Sequence, residues 1–331
     1  MGGYVARVRH DELPGSGAEF DRLVNSVAQR WRAVDPLLPA PTRPRSSTYP
    51  LLTVSDENGE PVAAGTMRYT WHQPGEVGRT WGMPDQHWLT PVVGGPEPRR
   101  ALDSLLSSWR EQLQQLPTGT GSESAALLTW PARDVSAVSA LQWHGLQPYS
   151  VLAARERRRG VPPSLPPRDV TIRLADSQDL TQIVSLLMEE HRYEEHFGGV
   201  FVQPETAEQT RGVAARSLAR SPSWIWLAER RGRPVGLIWV SPPDRARWAA
   251  PLVRSAPAAH IGYGVVAEEE RGRGIGTALV SHAHQALDTH NVQITLLNYA
   301  MLNPLSGPFW NRMGYRPVWT TWEVRPALAL R

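Results

Sequence analysis

Cysteine and lysine are both absent from this chain of 331 residues. Without cysteine there is no disulfide, no thiolate metal site and no Cys nucleophile, and a reducing cytoplasmic setting is expected. Without lysine there is no Walker-type phosphate loop and no Schiff-base lysine. Every one of the 35 basic side chains is therefore Arg, which keeps its charge and grips phosphate through two donors at once. Apolar runs long enough to cross a membrane, about 18 residues, are missing. The opening "MGGYVARVRHDELPG" has no apolar h-region and no Ser or Thr at position 6, so neither a secretory signal nor myristoylation is expected. The net charge is only +3, with acids interspersed among the arginines, which speaks against a nucleic-acid partner. What is present is ample apolar material, 41% of residues, enough for two domain cores.

An Arg cluster followed by prolines, "ARERRRGVPPSLPPRDV" from Ala154 to Val170, reads as a linker. The sides of it repeat. "GEPVAAG" at Gly59 matches "GRPVGLI" at Gly232, an offset of 234 − 61 = 173 at their prolines. "TPVV" matches "YGVV" at the same offset, 266 − 93 = 173. "ALDSLLSSW" then falls on "GIGTALVSH", and "DVSAVSALQWHGLQP" on "NPLSGPFWNRMGYRP", where Gly145 to Gly314 gives 314 − 145 = 169. Ordered matches at a steady offset indicate a tandem repeat of one domain. The expected domains are 1–158, a linker 159–169, and 170–331.

The second copy reads as strand-rich with interspersed helices, an α/β or α+β domain. Asp176 is the expected N-cap of a helix whose Leu180, Ile183, Val184 and Leu187 share one face. A second helix follows Pro204, then a hairpin turning at "RGRP", a strand "AHIGYGVV", and a helix opened by "EERGRGIGTALV". That turn packs Gly272, Gly274 and Gly276 with Arg271 and Arg273. A strand-to-helix turn with bare backbone and flanking arginines suits a large anion, because helix N-termini carry unpaired N–H groups and partial positive charge. The plain alternative is a tight turn with no ligand. A dinucleotide fingerprint does not fit, since its third glycine falls on Thr277.

Here the residues resemble the GNAT family of acyl-CoA-dependent N-acetyltransferases. The family's pyrophosphate loop corresponds to Arg271-Gly272-Arg273-Gly274-Ile275-Gly276 after Val265 and Val266. Its second signature corresponds to Asn303, Ser306, Phe309, Trp310, Gly314 and Tyr315. The resemblance spans residues 170–331. It implies two tandem GNAT-like domains, each a mixed, mostly antiparallel sheet flanked by helices. It also implies acetyl-CoA as cosubstrate, held at the loop by Arg271 to Thr277, along the backbone of Val265 and Val266, and near Asn303, Ser306, Phe309 and Trp310. In the first copy the register sets Ala101 against Gly274 and Asp103 against Gly276, and Pro96 and Pro98 remove donors. That copy is expected to be degenerate, with no acetyl-CoA site, and either to shape the acceptor cleft or to serve structure alone.

Acetyl transfer to an amine needs a proton acceptor, stabilisation of the thioester oxygen and a proton for the leaving thiolate. By strict alternation His260 shares a strand face with Gly262, Gly264 and Val266; it is the candidate base, or an ordinary partly buried histidine. The family's usual acid is a Tyr where this chain has Trp310, so Tyr299, Tyr315 or solvent is left as the proton source. Glu190, His191 and Glu194, with Glu189, Glu195 and His196, lie in "MEEHRYEEHFGG", where the resemblance places the acceptor; a solvated charged face is the alternative. His191 and His196 are not at i, i+4, so no metal is expected. Most tryptophans in strands (Trp224, Trp226, Trp239, Trp319, Trp322) are expected in the core; any that line the cleft would favour a bulky apolar or aromatic acceptor. The resulting expectation is a cytoplasmic N-acetyltransferase, monomer or homodimer, acting on a small-molecule or peptide amine with no membrane partner. Two other readings stand beside it: a tandem acetyltransferase resembling mycothiol synthase with an amino-sugar conjugate as acceptor, and a non-catalytic acyl-CoA sensor.

Overall fold

A computed structural model describes residues 5–9, 17–45, 50–115, 121–157 and 164–331. Most of the expected linker's Arg- and Pro-rich start, 159–163, lies outside the described residues. Two units divide the chain, and neither is continuous in sequence. The first comprises Met1–Pro74, Met83–Val151 and Val318–Arg331; the second comprises Gly75–Gly82 and Leu152–Pro317.

The first unit runs β1 (Val5–Arg9), α1 (Gly17–Val34), β2 (Leu51–Ser55), β3 (Pro61–Trp71), β4 (Asp85–Val93), α2 (Pro98–Gln114), β5 (Ser124–Pro131), α3 (Val138–Trp143) and the start of β6 (Gln147–Glu156). Helix α1 buries Phe20, Leu23, Val27 and Trp31, a stripe at helical spacing. The β2–β3 hairpin turns at Gly59, whose φ of 81° suits glycine. Strand order is β1-β2-β3-β4-β5, antiparallel except for the parallel β4–β5 pair. The next strand in this sheet comes from the far end of the sequence. β12 (Arg316–Val324) pairs antiparallel with β5, from Trp319 opposite Pro131 to Val324 opposite Ala126. Trp322, Val324 and Leu330 join Leu105, Trp109 and Trp130 in the core. The second half's last strand thus completes the first unit, where the sequence expectation kept it in 170–331.

The second unit contains β7 (Val170–Leu174), α4 (Leu180–Glu195), α5 (Thr206–Leu218), β8 (Ile225–Arg230), β9 (Arg233–Ser241), β10 (Ala258–Val266), α6 (Ile275–Thr289), β11 (Ile294–Ala300) and α7 (Ser306–Arg312). Its strand order is β11-β10-β9-β8-β7, with the end of β6 beside β11. Asp176 opens the turn before α4 reciprocally: its carboxylate accepts from Gln178 N at 2.8 Å, while Asp179 accepts from Asp176 N at 2.9 Å. Arg173 then clamps Asp179 through two 2.7 Å bonds and Glu229 through a third. The β8–β9 turn has positive φ at both Arg231 (52°) and Gly232 (72°), the backbone that matches strand twist in a two-residue hairpin. Ile183, Leu187, Leu237, Trp239 and Val265 pack on the α4–α5 side of the sheet. On the other side α6 comes so close to β9 that a Cβ on Gly236 would meet Leu279 at 3.2 Å.

The repeat survives in the elements themselves. β4 and β10 coincide at the 173 offset at both ends (258 − 85 and 266 − 93). The helices that follow do not, since α6 and α2 start at 275 − 98 = 177. Four residues join Val93 to Pro98, and eight join Val266 to Ile275. Ala101 and Asp103 are therefore not the counterparts of Gly274 and Gly276. The residue at the mouth of α2 is Glu97, its N-cap, and Asp103 lies further along, hydrogen-bonded to His144 Nε2 at 3.0 Å.

Candidate active site

The glycine-rich turn begins where β10 ends. Gly272 and Gly274 have φ of 75° and 82°, the left-handed region that a side chain disfavours. A Cβ built on either would meet nothing within 4 Å, so the backbone stands open. Gly274 is the N-cap of α6 and supplies no side-chain cap. The first-turn amides at Ile275, Gly276 and Thr277 consequently face outward without intrahelical acceptors. Gly276 is half-buried, and its Cβ position sits 3.5 Å from the Phe309 ring and from Val266 Cγ2. Arg273 is exposed, 3.4 Å from Glu270. Arg271 is held inward: its Nε donates to Val266 O at 3.1 Å, and its guanidinium lies 4.7 Å over the Tyr193 ring. It thereby ties the strand end to α4, whose Glu189 accepts from Glu268 N at 2.7 Å.

Beside the turn, the sheet opens. β10 pairs with β11 only from Ala258–Ile294 to Ile261–Leu297. Beyond that point β10 continues to Val266 against β9 alone. A bulge marks the separation: Ile261 faces Val240 and Tyr263 faces Trp239, so Gly262 is the extra residue. A bulge breaks strict alternation. His260, opposite Ser241, therefore shares its face with Tyr263, opposite Trp239, while Gly264, opposite Ile238, points the other way. This corrects the expected grouping of His260 with Gly264 and Val266. The ring of His260 is half-buried; Nε2 lies 3.1 Å from Asn298 Oδ1, and Trp248 stacks edge-on at 4.8 Å. Burial pulls its pKa below the usual histidine value.

The Asn303 segment forms the opposite wall. Asn303 is buried, and its Oδ1 accepts from Leu305 N at 2.9 Å and Ser306 N at 3.2 Å, organising the start of α7. Its Nδ2 donates to Glu194. Both polar atoms of the Asn303 side chain thus have partners within the protein. Ser306 contributes its backbone N–H here. Phe309 backs Gly276, and Trp310 packs so close to β10 that a Cβ on Gly264 would meet its ring at 3.2 Å. Tyr315 is enclosed, sharing a 2.9 Å hydrogen bond with His284 Nε2. Burial drives its pKa far up and that of His284 down to about 3. An enclosed phenol cannot reach a leaving thiolate, so Tyr315 is a packing residue and not the expected acid. Tyr299 stays half-buried on β11, its ring 3.7 Å from the Cβ position of Gly307, with its pKa raised by burial.

On the α4 side, three expected residues do come together. Glu190 Oε2 lies 2.8 Å from Nδ1 of the buried His191. Glu194, one turn on, is pushed up to about 7, first by burial, then by the charge of Glu190, against the pull of Asn303. His191 packs against Tyr263 (5.8 Å) and edge-on against Trp81 (5.1 Å). Leu187, His191, Val213, Trp239, Tyr263 and Trp81 line one pocket. Trp239 is thus a core tryptophan that also reaches a cleft; Trp224, Trp226, Trp319 and Trp322 are buried as expected. Trp81, Tyr263 and Asn298 were not singled out from sequence. Tyr263 was hidden by the bulge, and Trp81 lies in a loop of the other half with no local signal. Among the described residues no group of three or more His, Cys, Asp or Glu is arranged to hold a metal, and no helix is long and apolar enough to cross a membrane.

Comparison with known proteins bears on this geometry. The acetyltransferase (GNAT) family matches residues 180–315. No curated protein matches the chain. A GCN5-related N-acetyltransferase from Sphaerobacter thermophilus is similar in structure, with 17% identity and a TM-score of 0.58 over 98% of this chain and 96% of its own. A tandem GNAT protein from the clavulanic acid biosynthesis pathway, solved without AcCoA, shares 14% identity at a TM-score of 0.50, covering 98% of each chain. A GNAT-family acetyltransferase from Colwellia psychrerythraea shares 10% identity at 0.50, over 97% of this chain and 99% of its own. The chain has the tandem GNAT fold, and its residues 180–315 match the acetyltransferase (GNAT) family.

Proposed function

We propose that this protein transfers the acetyl group of acetyl-CoA to a primary amine of a small molecule or peptide by direct attack on the thioester. The observation that carries the reading is the open, left-handed turn at Gly272 and Gly274, set at the mouth of α6 beside the gap between β10 and β11. Bare amides at a helix N-terminus suit a diphosphate. The amides of Ile275, Gly276 and Thr277 and the Arg273 side chain would hold it there. The unpaired edge of β10 near Val265 and Val266 would hold the pantetheine arm as an added strand. Bound acetyl-CoA supplies an activated acyl thioester. The N-terminal half, whose turn is four residues shorter, with Glu97 at the helix mouth, is the copy without this site.

Glu194 takes the proton from the acceptor ammonium. With its carboxyl raised to about 7, it suits proton transfer at neutral pH. His260 is the less suited base, because its Nε2 is engaged by Asn298 and it sits where β10 and β11 are still paired. The freed amine nitrogen forms the new N–C bond as the C–S bond breaks. N–H groups on the β10 edge meet the charge that grows on the carbonyl oxygen. Tyr299, kept protonated by burial, gives its proton to the departing sulfur and is reprotonated by the second proton the nitrogen sheds as it becomes an amide.

Calorimetry with coenzyme A, followed by free-thiol release from acetyl-CoA with an amine panel, tests the reading. Micromolar binding and amine-dependent release are expected. Binding without release on any amine would favour an acyl-CoA sensor, and absence of both would remove the proposal.

A further inference from the structure

Arg271 opens the glycine-rich turn, yet its side chain leaves the turn. In an antiparallel ladder, successive residues point their N–H and C=O alternately toward and away from the paired strand. Ala267 N donates to Val235 O at 2.9 Å, so Ala267 faces β9. Val266 therefore turns its N–H and C=O to the free edge, beside the gap between β10 and β11. Gly264, two residues back and in unbroken register, does the same. The last carbonyl of that edge is not open, because Arg271 Nε donates to Val266 O at 3.1 Å. The guanidinium then lies 4.7 Å over the Tyr193 ring, with Nη2 3.8 Å from Glu189 Oε1. The same Glu189 oxygen accepts from Glu268 N at 2.7 Å, and Phe197 backs Tyr193 edge-on at 5.2 Å. Glu189 and Tyr193 are at i, i+4 on α4 and share a face. Helix α4 packs on the Val265 side of the sheet. On the other side, Val266 Cγ2 and Phe309 meet Gly276 at the mouth of α6. The Arg271 charge is thus held on the opposite side of the sheet from the amides of α6.

Resting on the acetyltransferase reading, we propose that Arg271 is a positioning residue for the pantetheine arm and not a ligand of the diphosphate. Its Nε closes the carbonyl of Val266, which leaves the N–H of Val266 and both backbone groups of Gly264 to pair with an added strand. The register of the arm along β10 is thereby fixed at the Val266 end, and with it the place of the thioester. Tyr193 and Glu189 keep the guanidinium there, one through its ring face and the other through opposite charge. Glu190 and Glu194 stand one position further along the same helix, so the clamp also holds the proposed base in a fixed relation to the strand that carries the arm. Side-chain charge for the diphosphate comes from the exposed Arg273.

Calorimetry on the full chain compares coenzyme A with ADP, which carries a diphosphate but no arm. Arg271→Met should weaken coenzyme A about tenfold, the effect of one hydrogen bond from a charged donor, and leave ADP affinity near that of the parent. Tyr193→Leu, which alters neither strand nor turn, should weaken coenzyme A in the same selective way and covers the case of an Arg271 variant that does not fold. Tyr193→Phe should restore the parent value, since a phenyl face still holds the cation. The Arg271→Met, Tyr193→Leu double variant should lose no more than Arg271→Met alone, as residues acting through one contact do. Arg273→Gln, by contrast, should weaken both ligands alike. An equal loss of ADP and coenzyme A in Arg271→Met overturns the inference, puts Arg271 on the diphosphate and leaves the acetyltransferase reading standing. So does an Arg271→Met protein that binds both ligands as the parent does. A parent chain that binds no coenzyme A overturns both.

Discussion

Gly276→Asp is the sharpest perturbation of the proposed cofactor site. Gly276 is the second residue of α6 with an ordinary helical backbone, and a Cβ there makes 3.5 Å contacts with Phe309 and Val266. The side chain therefore fits. Relief of glycine's entropy cost, about 0.5–1 kcal/mol, and an acid in the first helical turn, about 0.3–1 kcal/mol, leave the fold as stable or slightly more so. Binding moves the other way. A carboxylate about 5 Å from one phosphate charge repels it by roughly 3 kcal/mol at an effective dielectric near 20. Screening at physiological salt trims that figure, so a loss of roughly 30- to 100-fold in coenzyme A affinity is expected. Gly276→Ala supplies the same Cβ without charge and should bind nearly as the parent. Calorimetry at about 0.05 M and 1 M salt separates the two causes, since the Debye length falls to about 3 Å at 1 M. Part of the Asp variant's loss should return at high salt. An Asp variant that binds like the parent, with an unchanged melting temperature, would refute the placement of the diphosphate at this turn.

Other outcomes follow from single contacts. The kcat profile should rise with pH through about 7 as Glu194 ionises, and Glu194→Gln should lose both that limb and most of kcat. The same raised carboxyl means the folded chain holds a proton that the unfolded one releases, so its contribution to stability falls as pH climbs from the usual carboxylate range through about 7. Denaturant titrations of Glu194→Gln should lack that slope; a parallel slope would count against the assignment. Tyr315→Phe removes the partner of the buried His284 Nε2 and should cost about 1–3 kcal/mol of stability with kcat unchanged. A collapse of kcat at unchanged melting temperature would return Tyr315 to the role of acid. Arg173 holds Asp179 below the ordinary carboxylate range, so this contribution is present above about pH 4 and is lost as acid titrates the folded group. Asp179→Asn should destabilise the chain at neutral pH by about 1–3 kcal/mol and flatten unfolding below pH 4; an unaltered acid transition would show the clamp to be idle.

Features set by local backbone chemistry could be read from sequence. The Arg231–Gly232 hairpin, the Asp176 cap and the left-handed glycines at 272 and 274 all depend on residues within a few positions. Features set by partners could not. Alternation shows which face of a strand is buried but not which strand lies beside it, so nothing in "YRPVWTTWEVR" announces pairing with β5. One inserted residue at Gly262 moved His260 to the Tyr263 face, and alternation carries no mark of it. The α2 misregistration has a similar cause. A four-residue slip is about one helical turn, so the apolar stripe of "ALDSLLSSW" fits α6 almost equally at 173 and at 177.

That slip also changes why the first half should bind no diphosphate. With Asp103 in the expected register, charge alone would exclude the ligand. In the structure Asp103 is away from the helix mouth and bonded to His144. What is missing is the turn itself: four residues replace eight, Pro98 opens the helix without an N–H, and Glu97 stands at its mouth. Substituting Asp103 would therefore leave the first half without affinity, because no cradle remains for the charge to block. Removing Glu97 would leave it likewise. The half with the shorter turn makes two contributions of its own: the β5 edge that receives β12, and the 75–82 loop that walls the pocket. Both act on elements of the other half of the sequence, so neither half can be cut from this chain at the 159–169 segment and keep a complete sheet.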